Sequence, residues 1–276
     1  YFTGSKAFNI KLRQMAIKKG LKVNEYGVFK VKGDKETYLC GKNEEEVFKA
    51  LGLPDIEPEL REDTGEIEAA LKNKLPKLLS LKDIKGDFHC HSRYSDGNNS
   101  ILEMAESAKA LGYQYLNISD HSQSLKVAGG LSLEDLKKKK AEIDKLKAEL
   151  KGFRILFGTE VDIDSRGRLD YPDSVLAGFD VVVAAIHSGF KQSKKQITKR
   201  LVSACKNKNV DIIAHPTGKL WGTREPYEID WEEFLRAALD CRTALEINAY
   251  PLRLDLNDLN CRRAKEKGVK LVISTD

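Results

Sequence analysis

Every histidine of the chain, five in all, closes a short apolar run. His89 and His91 end GDFHCHS, His121 ends YLNISDHS, His187 ends DVVVAAIHS and His215 ends DIIAHP. Carboxylates stand in matching places: Glu160 ends RILFGTEVD, Asp276 ends KLVISTD, and Asp96 and Asp120 occupy adjoining loops. Imidazole nitrogen and carboxylate oxygen are common ligands of hard and borderline divalent cations. His89 and His91, two apart, leave the same face of a strand, so they can grip one cation while Asp96 reaches a neighbouring one. A cluster of such cations lowers the pKa of water and neutralises charge developing on a phosphate, which is hydrolytic chemistry. A lone histidine after an apolar run is more often structural or exposed. Five that all choose strand ends, with none in the N-terminal segment before residue 81 or on an expected helix, point to a shared site.

For residues spread over 188 positions to meet, the elements carrying them must share one mouth, as the C-terminal strand ends of a parallel barrel do. From Gly86 onward strand and helix patterns alternate with little else. Strands are expected near 87–90, 114–118, 154–160, 180–186, 210–214, 243–248 and 269–274. Helices are expected near 100–111, 132–151, 173–177, 192–207, 230–239 and 257–267. Seven strands separated by helices predict an α/β fold, a (β/α)7 barrel closed on itself. Cys90, alternating with the two histidines, should face away from them into the core. The lysine run 137–140 reads as the solvated outer face of a helix whose buried stripe is Leu133, Leu136, Ile143, Leu146 and Leu150. DIDSRGRLDYPD breaks the rhythm and reads as an excursion beside the site.

The 276 residues suffice for a barrel of about 190 residues and a smaller module. Charged residues make up 32%, no apolar run approaches the roughly 20 residues that span a bilayer, and no signal peptide opens the chain. The five cysteines are odd in number and lack a C-x-x-C pair, which fits reduced thiols in a cytoplasm. The net charge of +5 is unevenly placed. Residues 1–33 hold seven lysines and one arginine against the single acid Glu25, a net +7, whereas residues 34–80 hold seven bases against twelve acids. A compact basic segment suits phosphate backbones; a solvated lysine-rich helix face explains it equally well.

Within that first segment, Phe8, Leu12, Met15 and Ala16 recur near helical spacing, and Gly20 is placed to end the helix. KVNEYGVFKVKGDKETYLCG alternates like a hairpin turning at Gly33-Asp34, and a helix is expected over 44–51. Pro54, Pro58 and the acidic run 57–68 read as a connection rather than a core. A further short helix is expected over 67–79, and a domain boundary near Leu81.

The motif set HCHSRYSDG, SDHS, GTEVD, AIHSGF, IIAHP and STD, in this order, resembles the PHP (polymerase and histidinol phosphatase) family of metallohydrolases. The resemblance implies a distorted (β/α)7 barrel holding two or three divalent metals, zinc, manganese or iron, at its C-terminal mouth. Its ligand pattern falls on His89, His91, Asp96, His121, Glu160, His187, His215 and Asp276, with a further histidine expected two residues past Asp276. Asp276, as the last residue, is expected to fray. YFTGSKAFNIKLRQMAIKKGLKVNEYGVF resembles the start of the thumb subdomain of family X DNA polymerases. There Tyr1 and Phe2 match a pair lying against the incoming sugar, Thr3, Gly4 and Ser5 the turn opening a helix, and Asn9 and Arg13 positions near the nascent base pair. Glu25-Tyr26 match a motif in the following strand. Lys11, Arg13, Lys18 and Lys19 suit the DNA backbone.

Thumb and barrel together imply a bacterial or archaeal family X polymerase piece, with residues 1–80 as thumb and linker and 81–276 as the barrel. The polymerase carboxylates are expected upstream of Tyr1, so the chain is expected to be a fragment that does not itself polymerise. Implied partners are gapped or 3′-ended DNA and, in the intact polymerase, dNTP; the expected state is a cytoplasmic monomer. The implied activity is phosphoester hydrolysis on DNA, with Glu160, His121 and Asp96 as catalytic candidates. Glu160 is singled out as a bridging carboxylate, being read as the only acid on its strand end. Arg224, Arg253 and Lys219 either hold substrate phosphate or make ordinary loop contacts. A small-molecule phosphatase of the same fold, and a DNA-binding module with a silent barrel, are the competing readings.

Overall fold

The computed structural model describes residues 3–276; Tyr1 and Phe2, and the sugar contacts expected of them, lie outside the described residues. The chain divides into two compact units, residues 1–80 and 81–276.

In the first unit, Ser5 caps α1 (Lys6–Lys18) by accepting the Phe8 N–H at 3.1 Å, and the helix buries Phe8, Leu12 and Ala16. A three-stranded antiparallel meander follows: β1 (Leu21–Asn24), β2 (Gly27–Lys32) and β3 (Lys35–Cys40). Glu25 and Tyr26, expected within a strand, instead form the turn between β1 and β2, with the Tyr26 N–H on Asn24 Oδ1 at 2.9 Å. The unit is completed by α2 (Glu44–Ala50) and α3 (Glu66–Leu71).

The acidic stretch is not a mere connection. Ile56 and Ile67 are buried in the same core as Phe8, Phe48 and Leu51. Its charge is spent locally, for Glu66 folds back to accept the N–H groups of Asp63 and Thr64 at 2.8 and 2.7 Å. The expected helix over 67–79 stops after Leu71, because Asn73 adopts φ +53° and Pro76 cannot continue a helix.

The second unit runs through β4 (Gly86–Cys90), α4 (Ile101–Ala110), β5 (Tyr115–Ile118), α5 (Leu133–Glu149), β6 (Arg154–Asp162), α6 (Asp173–Leu176) and β7 (Val181–Ala185). It continues through α7 (Lys194–Cys205), β8 (Ile212–Ile213), α8 (Trp231–Cys241), β9 (Ala244–Asn248), α9 (Asp258–Lys267) and β10 (Leu271–Ser274). The seven strands are parallel, ordered β4 to β10. β10 comes round to β4, where the Asp276 N–H donates to His89 O at 2.8 Å. The result is a nearly closed, distorted α/β barrel.

Three of its helices begin at serine capping boxes, Ser100 with Glu103, Ser132 with Asp135 and Ser193 with Gln196. Strands buried on both faces read as continuous apolar runs. In β7, Val182 and Ala184 pack outward against the helices, while Val183 and Ala185 join Ile212, Ala214 and Ala244 inside the barrel. Cys90 faces the outer layer, as its alternation with the histidines predicts.

One element departs from its pattern. The inward stripe of α5 is Leu136, Lys139, Ile143 and Leu146, so Lys139 is fully buried although it belongs to the run read as solvated. Its neighbours Lys138 and Lys140 do face solvent, each pairing with acids of the same helix.

Candidate metal centre

Period-two alternation along β6 turns Gly158, Glu160 and Asp162 to the barrel interior, and Glu160 registers with the inward Val183. Glu160 is the hub of the mouth. Its Oε2 lies 2.8 Å from His121 Nδ1, 3.5 Å from His89 Nε2 and 3.7 Å from His91 Nε2. Its Oε1 lies 2.9 Å from His215 Nε2 and 3.2 Å from His187 Nε2. Asp276 Oδ1 stands 3.2 Å from His91 Nε2 and 3.4 Å from His89 Nε2. Asp96 reaches His121 Nε2 at 3.5 Å and His91 Nδ1 at 3.8 Å from the following loop. All eight sequence-predicted donors therefore meet in one place.

Among the described residues, three groups have a donor atom from each member within 4.8 Å of the others: His89, His91, Glu160 and Asp276; His91, Asp96 and His121; His121, Glu160 and His187. In the first, His89 Nε2 and His91 Nε2 stand 3.2 Å apart, two ring nitrogens turned on each other. Four donors arranged tetrahedrally around one cation at about 2.1 Å stand about 3.4 Å apart, which matches these separations. The Nδ1 atoms of His91 and His215 are buried without a hydrogen-bond partner. Buried polar atoms are rarely left so, and the donor set fits a cation.

The electrostatics agree. Burial disfavours a charged ring at His121, yet Glu160 and Asp96 outweigh it and lift its pKa to about 10; at His187, burial is outweighed by Glu160 and Asp162, to about 9. Burial also favours a neutral Glu160, but His187, His89 and His121 hold it well below the usual carboxylate range. The mouth retains positive charge against a desolvation penalty, on protons or on metal.

Residues that escaped the sequence reading orient these donors. Glu246, fully buried on β9, places Oε1 2.7 Å from His89 Nδ1 and accepts the His215 N–H on Oε2 at 2.7 Å. That second bond holds His215 at φ +25°, a backbone region costly for any residue but glycine. Asp87 accepts the His89 N–H at 2.9 Å and the Thr275 hydroxyl at 2.6 Å, tying β4 to the segment after β10. Asp162 lies 3.2 Å from His187 Nδ1, so Glu160 is not the only acid of its strand end. An acid on the inward register of an apolar strand, Glu246 in ALEIN or Asp162 two past Glu160, was the available signal. Asp276, expected to fray, is held through Oδ2 by Arg253 Nε at 2.9 Å and Asn248 Nδ2 at 2.8 Å.

A cavity of about 590 Å³ opens over the centre, lined on one side by His91, Asp96, His121, His187 and Asp276 and elsewhere by Leu220, Tyr250 and Arg253. Arg253 Nη1 is buried there without a hydrogen-bond partner. Arg224 and Lys219 are not among the lining residues. The Arg224 guanidinium stacks 3.8 Å from the Phe190 ring centre, and Lys219 Nζ sits 3.3 Å from that of Trp221, so aromatic faces compete for both cations.

In the first unit, Thr3 and Arg61 both bind Glu44. Gly4 adopts φ +95° where a Cβ would come within 2.7 Å of Arg61 Cβ, so only glycine fits the turn before Ser5. Asn9 Nδ2 donates to Ser5 O, and Arg13 Nε to Asn9 O. Lys11 is not a free phosphate ligand. It is bound by Asp63 at 2.8 Å and Glu68 at 2.7 Å, hydrogen bonds that push its pKa up. Lys19 Nζ caps α2 through Leu51 O at 2.7 Å, whereas Lys18 is exposed.

Fold and centre together define a parallel α/β barrel with a histidine–carboxylate metal centre at its C-terminal mouth. Residues 87–250 match the family model of the PHP domain, and residues 1–62 match that of the DNA polymerase beta thumb. The chain belongs to the PHP domain family. It is 51% identical over 277 residues to DNA polymerase/3′-5′ exonuclease PolX of Bacillus subtilis (strain 168), covering 100% of this chain but 48% of that protein, about half its length. A probable phosphatase of Thermoanaerobacter sp. (strain X514) is 33% identical over 202 residues, 69% of this chain and 77% of that protein. In fold the chain resembles the crystal structure of histidinol phosphate phosphatase from Lactococcus lactis subsp. lactis Il1403 complexed with zinc, L-histidinol and phosphate. That likeness has a TM-score of 0.52 at 20% identity, over 70% of this chain and 85% of that one. Among the described residues no helix is long and apolar enough to cross a membrane.

Proposed function

We propose that the barrel is a metal-dependent phosphoesterase acting on DNA, trimming nucleotides, phosphates or abasic remnants from 3′ ends within a family X DNA polymerase that serves repair. The observation that carries this reading is Glu160, whose two oxygens face two sets of histidines, with Asp96 and Asp276 completing the donors. The relative 51% identical over the whole chain supports DNA as the substrate class. His89, His91, Asp96, His121, Glu160, His187, His215 and Asp276 would hold two or three cations of zinc, manganese or iron, manganese supporting activity. Such cations supply an activated water and offset charge on the phosphoryl oxygens.

The chain's own groups do the rest. Arg253 is anchored through Nε to Asp276, which leaves Nη1 to donate to a phosphoryl oxygen. Asp96, half-exposed and kept ionised chiefly by its hydrogen bond to His121, accepts a hydrogen bond from water in the cavity. Glu160 and His121 fix the direction from which that water approaches. In the first unit, the turn Thr3–Ser5 with Asn9, Arg13 and Lys18 meets the DNA strand, and the protein acts as a cytoplasmic monomer.

A small-molecule phosphatase is the second reading, favoured by the 33% identity of the barrel to a probable phosphatase. The two separate on kcat/KM with manganese, measured for a 3′-ended oligonucleotide and for histidinol phosphate. Higher efficiency on the oligonucleotide is expected; the reverse order overturns the DNA reading.

A further inference from the structure

Lys139 projects from α5 through the barrel wall between β5 and β6. Its ammonium is fully buried and donates to Ile118 O at 2.8 Å, Gly158 O at 2.9 Å and Asp120 Oδ2 at 2.8 Å, one acceptor for each N–H. Asp120, equally buried, spends its remaining capacity on the loop after His91. It accepts the Ser92 N–H at 2.7 Å, the Ser92 hydroxyl at 2.9 Å and the Ser95 hydroxyl at 2.8 Å. Asp96 follows Ser95 directly, and His121 follows Asp120 directly. The loop has little slack, since a Cβ at Gly97 would fall 2.1 Å from His91 O.

Stability does not explain this arrangement. Position 139 lies on an apolar stripe where a methionine or leucine would be at home, and a buried ion pair is often no more stabilising than an apolar pair of similar volume. What the pair does supply is a fixed anchor for the two segments that carry Asp96 and His121.

We propose that Lys139 is a positioning residue: through Asp120 it sets the spacing of the donor group formed by His91, Asp96 and His121, leaving the group of His89, His91, Glu160 and Asp276 to other supports. The inference rests on the mouth being a metal centre. Those other supports are Glu246, on β9, which holds the His89 ring, and Asp87, which ties β4 to the segment after β10; neither is among the hydrogen-bond partners of Lys139.

The test compares the wild type, Lys139→Met and the double variant Asp120→Leu/Lys139→Met. It measures manganese equivalents and their dissociation constants by chelator competition, together with the Tm of chelator-stripped protein. In both variants the sites that use His121 should weaken by roughly 10- to 100-fold, the range for loss of a group that orients metal ligands, while the group of His89, His91, Glu160 and Asp276 keeps wild-type affinity. Raising manganese should then restore hydrolysis with an unchanged KM for DNA. Wild-type affinity at every site in the double variant overturns the proposal. So does weakening of all sites in step with a lower stripped Tm, which marks a general structural role. Should Lys139→Met fail to fold through its unpaired aspartate, the double variant, which removes both charges of the pair, decides alone. A wild type that binds no manganese overturns the metal reading and the proposal together, a result recognisable because it appears before any substitution.

Discussion

At the scale of single residues, the mouth separates side chains that touch substrate from those that hold others in place. Arg253, which lines the cavity and is proposed to hold the substrate phosphate, represents the first kind. Hydrogen bonds to charged groups contribute about 1.5–3 kcal/mol, so Arg253→Ala should lower kcat/KM on DNA by roughly 10- to 150-fold, and steady-state kinetics will show it. Loss of less than about threefold would mean that the phosphate lies elsewhere. Asp120 belongs to the second kind. Burial raises its pKa, but Lys139 outweighs burial and holds it at about 2, below the ordinary 3.8. A carboxyl depressed in the folded state contributes stability above its unfolded pKa and loses it as pH falls through the folded one. Between about pH 4 and pH 2 the chelator-stripped wild type should therefore lose stability relative to Asp120→Leu/Lys139→Met. Denaturant melts across that window will read the difference, and parallel curves would refute it.

At the scale of elements, one glycine shows how closely the barrel wall is built. A Cβ on Gly158 would lie 2.2 Å from Asn117 Oδ1, and Asn117 is itself buried with Nδ2 on Phe88 O at 2.8 Å. Gly158→Ala should cost about 1–3 kcal/mol, measured by urea denaturation, because the strands must part to admit a methyl group. The strands and helices of the barrel were legible because parallel strands are apolar throughout and end abruptly at polar residues. Seven of the eight donors were legible for the same reason, each closing such a run, and Asp96 by its place in the loop just after one. Lys139 was not, since a lysine run gives no sign of which member lies on the inward stripe until the helix is phased against the sheet. Glu246 was missed because an acid inside an apolar strand was not counted unless it stood at the end, and Asp162 because the strand, expected over 154–160, runs two residues further. In the first unit, acidity hid Ile56 and Ile67, which are buried beside Glu66, turned onto the Asp63 N–H, and Arg61, whose Nε donates to Ile56 O.

At the scale of the whole molecule, net charge overstates what is free to meet nucleic acid. Lys11 is neutralised by Asp63 and Glu68, Lys22 pairs with Glu36, and Lys19 caps a helix, whereas Lys18 stands exposed. Lys18→Glu should reduce the slope of log K against log salt for DNA binding by roughly one, while Lys11→Ala should leave it unchanged. Fluorescence titrations at several salt concentrations will separate the two; an equal effect would show that the ion pairs of Lys11 open on binding.

The closing seam between β4 and β10 has a consequence in time. His89 and His91 leave the ribosome 187 and 185 residues ahead of Asp276, the partner that meets them across the seam. At about 5–20 residues per second, the interval is roughly 10–40 s. Throughout it the growing chain carries two converging imidazoles with neither their last carboxylate nor the strand that pins β4. Synthesis thus runs ahead of competence, and the mouth is assembled only after nearly all of the wall around it has been translated.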